Sequence, residues 1–149
     1  MFKNKIFWSV VAVAVILIAV SFLPKPEYEF ASVAFMKNGE LVQVYIPTNE
    51  KASTLGLGKR SVLPEDYGML WRFEPGFKPS FVMKGMRFPL DFIWIDQGKV
   101  VEVTENVVPS STAKIVPTNG VTEVLEVNAG YVKRHNVLIG DEVEIQKNW

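Results

Sequence analysis

The fold is decided by residues 91–105, Asp91-Phe92-Ile93-Trp94-Ile95-Asp96-Gln97-Gly98-Lys99-Val100-Val101-Glu102-Val103-Thr104-Glu105. Successive side chains on a strand point to opposite faces. Phe92 and Trp94 therefore share one face, and Ile93 and Ile95 the other. A run that is apolar on both sides predicts a strand buried in the middle of a sheet. Gln97-Gly98 supplies the turn, and Lys99–Glu105 the returning strand, so the whole reads as a β-hairpin. A second hairpin precedes it. Phe30–Met36 and Leu41–Ile46 flank Lys37-Asn38-Gly39-Glu40, and Asn-Gly readily takes the positive φ values of a tight turn.

Working outward, Met69–Phe73, Ser80–Met83, Thr122–Val127 and Glu142–Gln146 complete the predicted strands. Val124 and Leu125 lie on opposite faces of theirs, which implies burial on both. Two short helices are expected. Thr48 or Asn49 can cap one running from Glu50 to about Leu57, with Gly56 and Gly58 ending it. Asn128 can cap another over Ala129 to about His135, with Asn136 as its left-handed C-terminal residue. Residues 106–120, with Pro109, Pro117 and Asn119-Gly120, form the longest irregular connection and are expected to be a mobile loop. The class is mainly β, of α+β type.

At the N-terminus, residues 6–23 hold 16 apolar residues in 18 positions and no charge. Lys3 and Lys5 precede the run, and Pro24-Lys25-Pro26 follows. As a helix it spans about 27 Å, close to a bilayer's hydrocarbon core. The expected organisation is an N-terminal hydrophobic helix at residues 1–23, a linker at 24–30, and a single β-rich domain at 31–149. The first segment reads as an uncleaved transmembrane anchor, with a cleaved signal peptide at Ala19-Val20-Ser21 as the alternative. Both place the body outside the cytoplasm, on the membrane in one case and secreted in the other.

Charge and composition remove several classes of function. Residues 24–149 carry 14 basic and 16 acidic groups, with no basic excess for nucleic acid. There is no Cys and one His, so thiol nucleophiles, thiolate or imidazole metal sites and a catalytic triad have no basis. Glu65 and Asp66 are too few oxygens for calcium. No phosphate loop or dinucleotide fingerprint occurs, and neither a cofactor nor a metal is expected.

Several stretches bear a resemblance. Leu63-Pro64-Glu65-Asp66-Tyr67-Gly68-Met69-Leu70, Ser80-Phe81-Val82-Met83-Lys84, Pro89-Leu90-Asp91 and Ile95-Asp96 are similar to the domain of unknown function 192 family. So are Val124-Leu125-Glu126-Val127-Asn128-Ala129-Gly130 and Gly140-Asp141. The resemblance covers roughly residues 40–146. It implies a small, half-open β-barrel-like domain, often exported behind a signal or anchor, and no established activity. The chain departs from the pattern at Val82, Gly85 and Met86, where the family usually has Trp, Asn and Thr, and at Leu55–Gly58, where its Arg-Gly-Leu-Met is missing.

Tyr67–Trp94 holds 8 of the chain's 18 aromatic residues, together with Met69, Met83 and Met86. This stretch is either the core of the barrel or an aromatic-lined groove. Lys84 and Asp91 bracket the turn Gly85–Leu90, as ligand contacts or as a structural pair in which Asp91 bonds backbone N–H groups. The candidate ligand-binding residues are Met83, Lys84, Met86, Pro89 and Asp91. The expected function is binding of a small molecule or an envelope protein by a membrane-tethered module. The alternative is a cell-envelope enzyme using Lys84, Asp91 or Glu126 as acid and base.

Overall fold

Both hairpins close where their glycines permit. Gly39 (φ 70°) turns β1 (Tyr28–Phe35) into β2 (Glu40–Pro47), and Gln97-Gly98 (φ 50° and 75°) turns β4 (Leu90–Asp96) into β5 (Lys99–Val107). The computed structural model describes residues 27–147. The apolar run read as an anchor or signal lies outside them, and no helix among the described residues is long and apolar enough to cross a membrane. The remaining elements are α1 (Glu50–Leu55), β3 (Tyr67–Arg72), β6 (Glu123–Asn128), α2 (Tyr131–Arg134) and β7 (Val143–Lys147). β1 begins inside the stretch predicted to be linker.

One seven-stranded sheet runs in the order β5-β4-β6-β3-β2-β1-β7, antiparallel except between β2 and β3. It curls into a half-barrel whose two outer strands meet at one end. There Lys99 bridges Glu142, Val143 N–H donates to Gly98 O at 2.9 Å, and Val100 N–H to Asp141 O at 2.9 Å. The fold is the mainly β, half-barrel architecture with two short helices.

The sheet buries both faces. Inside the curl, Val33, Phe35, Val44, Leu70, Ile93, Ile95, Leu125 and Val127 form one core, closed by Tyr131 and Val132 of α2. On the outer face, Met69, Leu90, Phe92, Trp94 and Val124 form a second core with Leu57, Leu63, Met83, Ile115 and Val121. Every residue from Leu90 to Ile95 is buried, as expected of a central strand. The aromatic-rich stretch thus builds the outer core, covered by irregular chain, rather than the barrel interior.

Three local expectations differ from the structure. Ser80–Met83 is no strand: Phe81 and Ile115 exchange one pair of backbone hydrogen bonds (2.9 and 3.0 Å) between Pro79 and the Met83–Met86 turn. The 106–120 connection is held by that bridge, by Thr118 N–H on the Glu102 carboxylate (2.8 Å) and by Val121 N–H on Phe77 O (2.9 Å), rather than running free. Asn128 does not cap α2. It is paired as the last residue of β6, and its amide donates to Leu63 O (2.9 Å) and Pro64 O (3.1 Å), while Gly130 at φ 83° opens the helix. Asn49 caps α1 as expected, accepting from Ala52 N–H at 2.8 Å.

Candidate functional site

The outer core is incompletely filled. A cavity of about 530 Å³ lies between the sheet, the end of α1 and the turn around Met83. The sheet supplies Trp71, Leu90, Phe92 and Glu126 to it, and the covering chain supplies Phe73, Phe77, Phe81, Met83, Lys84 and Met86. Ser53 and Thr54 of α1 also line it. Its aromatic wall is continuous: Phe81 sits 5.4 Å from Trp71 and 5.7 Å from Phe92, centroid to centroid. At Gly56, which ends α1, an added Cβ would stand 3.5 Å from the Trp71 ring, so the helix terminus rests against that wall.

Strand register explains why a carboxyl is there. On β6, Val124 and Glu126 face outward while Leu125 and Val127 face the barrel. Glu126 lies opposite Met69 of β3 and Phe92 of β4, between two apolar neighbours on a central strand. It is 5% exposed. Burial penalises the charged form and pushes its pKa up to about 8; the Trp71 indole beside it is the group that opposes the shift. Trp71 Nε1–H is itself buried and completes no hydrogen bond of ordinary geometry. The neighbouring indole differs: Trp94 Nε1–H donates to Thr104 Oγ1 at 2.9 Å. A buried N–H without a partner and a dry carboxyl therefore share one cavity wall. A buried N–H is normally satisfied in native proteins.

The residues proposed from sequence divide. Met83 is buried, Met86 half-buried and Lys84 exposed, and all three line the cavity with Glu126. Pro89 does not; its carbonyl accepts from Ala129 N–H at 3.1 Å. Asp91 is fully buried beneath the sheet's other face, where its two oxygens accept from Asn106 N–H (2.8 Å) and Val132 N–H (3.1 Å). It fastens β5 and α2 to β4, with backbone groups more distant than the Pro89 turn. Lys84 and Glu126 share a cavity, and Asp91 does not join them. Trp71, Phe81 and the α1 hydroxyls were not among the sequence candidates. The aromatic density of 67–94 pointed to the first two, while the α1 hydroxyls had no signal. Among the described residues no group of three or more His, Cys, Asp or Glu could hold a metal ion.

The family model DUF192, described as an uncharacterized ACR, matches residues 33–145. No curated protein matches significantly. A solved structure from Sinorhizobium meliloti 1021, provisionally described as a transcription regulator, is 31% identical with a TM-score of 0.71. That similarity covers 82% of this chain and 98% of the other. A protein of unknown function from Novosphingobium aromaticivorans is 24% identical with a TM-score of 0.70, covering 78% of this chain and 84% of that one, and it shares the fold. With three quarters of its length matched by one family model, this chain belongs to the domain of unknown function 192 family.

Proposed function

We propose that the protein is a membrane-tethered, extracytoplasmic binding module whose ligand occupies the Glu126 cavity. One observation carries the reading: a buried carboxyl and a buried indole N–H stand together on one aromatic-lined space, and the indole N–H has no partner of ordinary geometry. Leaving that N–H unpaired costs stability, and a ligand that bonds it offsets the loss. The cavity's volume lies in the range of small-molecule sites, which favours a small molecule over an envelope protein. The apolar run at residues 6–23 behind Lys3 and Lys5 supports the tether or export tag. In the tethered form only residues 24–27 separate that run from β1, a reach of at most roughly 15–20 Å that keeps the body near the bilayer.

The Sinorhizobium relative's description suggests control of transcription, but residues 24–149 carry two more acidic than basic groups and lack the charge that DNA binding uses. A second reading, an envelope enzyme, draws on Glu126 itself. A carboxyl that titrates near 8 is suited to general acid catalysis, and Lys84 lines the same cavity.

The test has two arms. Protease added outside intact cells or spheroplasts should digest the body, and full protection would refute the extracytoplasmic placement. Native mass spectrometry of the full-length protein, gently extracted from its own membranes, should show a retained small molecule. The Trp71→Phe plus Glu126→Leu double variant should lose it. A wild-type chain of bare mass, recovered without ligand, would count against binding, and a chemically altered ligand released over time would favour the enzyme.

A further inference from the structure

The polar groups of the cavity narrow what it can hold. Trp71 Nε1–H is a donor only, and it is buried without a partner. A cation placed against it would meet a like partial charge. Glu126 stands beside it in an apolar wall made of Phe92, Phe81 and Met83. An anion placed between them would give up its hydration to an apolar wall that holds no cation to pair with it. Lys84 is the only other titratable group of the lining, and it is exposed at the cavity rather than at its wall of sheet residues. A neutral acceptor oxygen meets both demands, because it takes the indole hydrogen and also the hydrogen of a protonated carboxyl. Glu126 is in that protonated state at neutral pH, since burial holds its pKa near 8. The aromatic walls then ask for an apolar or aromatic body behind that oxygen.

We infer that the cavity binds an uncharged carbonyl compound with an apolar body, its carbonyl oxygen accepting hydrogen bonds from Trp71 Nε1–H and the Glu126 carboxyl. This rests on the reading of the cavity as a ligand site, and it deepens that reading by naming the ligand's class.

Three probes on one carbon skeleton test it: acetophenone, ethylbenzene and 1-phenylethylamine. Each is titrated at equal free concentration into ¹⁵N-labelled full-length protein at pH 7. The readout is the Trp71 indole ¹H–¹⁵N resonance, assigned by its loss in Trp71→Phe. Acetophenone is expected to move that resonance downfield and to bind at least about tenfold more tightly than ethylbenzene, the ratio expected for one buried hydrogen bond. Glu126→Leu, which leaves the Trp71 hydrogen bond alone, should shrink the preference several-fold without abolishing it, and Glu126→Gln, which keeps a donor, should retain most of it. Equal binding of acetophenone and ethylbenzene overturns the inference and leaves an apolar ligand site standing. Tighter binding of the amine overturns it in favour of a cation site. Silence of the Trp71 resonance to all three overturns both the inference and the ligand-site reading beneath it.

Discussion

At Glu126 a carboxyl occupies a position that its strand neighbours fill with Val and Leu, and the stability of the fold should register it. With the folded pKa raised to about 8, the folded chain keeps a proton that the unfolded chain releases near 4.5. Below pH 4.5 both states are protonated and the residue contributes no pH dependence. From there to about 8 stability falls as pH rises, by at most about 1.4 kcal/mol per pH unit, and above 8 it levels off. Glu126→Gln removes the titration. Urea midpoints of the variant should vary less than those of the wild type between pH 5 and 8. The variant should be the more stable protein at pH 9, with little difference at pH 4. Asp91 is the opposite case, a buried carboxyl whose oxygens both have partners. Asp91→Ala would strand the N–H groups of Asn106 and Val132, at a cost of about 3 kcal/mol. Urea denaturation should show that loss, while the Trp71 indole resonance should keep its response to acetophenone.

Among the elements, the β3–β6 pair sets the cavity's geometry, and Gly68 sets how closely the two strands approach. A Cβ on Gly68 would stand 2.7 Å from the Glu126 backbone oxygen and 3.0 Å from the Leu125 side chain. The obstruction includes backbone, so β3 must move away from β6. Gly68→Ala is expected to cost about 1–3 kcal/mol. It should also shift the Trp71 indole resonance, because Trp71 stands three residues along the same strand, opposite Val124. An unchanged midpoint together with an unchanged spectrum would show that the strands tolerate the methyl group. Elements of this kind were readable in the sequence wherever the cause is local. Asn-Gly and Gln-Gly turns, a strand apolar on both faces and the Asn49 cap depend on neighbours a few residues away, and all formed. Asn128 departs from the expected cap because its amide partners, Leu63 and Pro64, lie more than sixty residues away. Ser80–Met83 has strand-like composition, but Pro79 and the turn after Met83 leave it a single bridge.

On the scale of the molecule, the sheet does two jobs with one set of strands. Its inner face closes a barrel core, and its outer face, roofed by irregular chain, holds the cavity. The sequence separates the two faces by alternation, but it does not say which residues roof the outer one. For that reason Met83, Lys84 and Met86 were found beside Glu126 in space, while Asp91, seven residues from Lys84, was carried to the far side of the sheet by strand parity. Glu126 carried a sequence signal of its own, a charged residue among Val124, Leu125 and Val127 on a strand buried on both faces. What that signal lacked was the second group, Trp71, which the chain supplies from β3.

The proposal stands or falls on the sheet keeping one carboxyl dry against the Trp71 indole. The direct measurement is a pH titration of the Glu126 side-chain carboxyl by ¹³C NMR in the full-length protein, assigned with Glu126→Gln. A midpoint near 8, with the Trp71 indole resonance moving through the same transition, is the expected result. A midpoint near 4.5, with that resonance still, would place Glu126 in water and contradict the cavity as a ligand site.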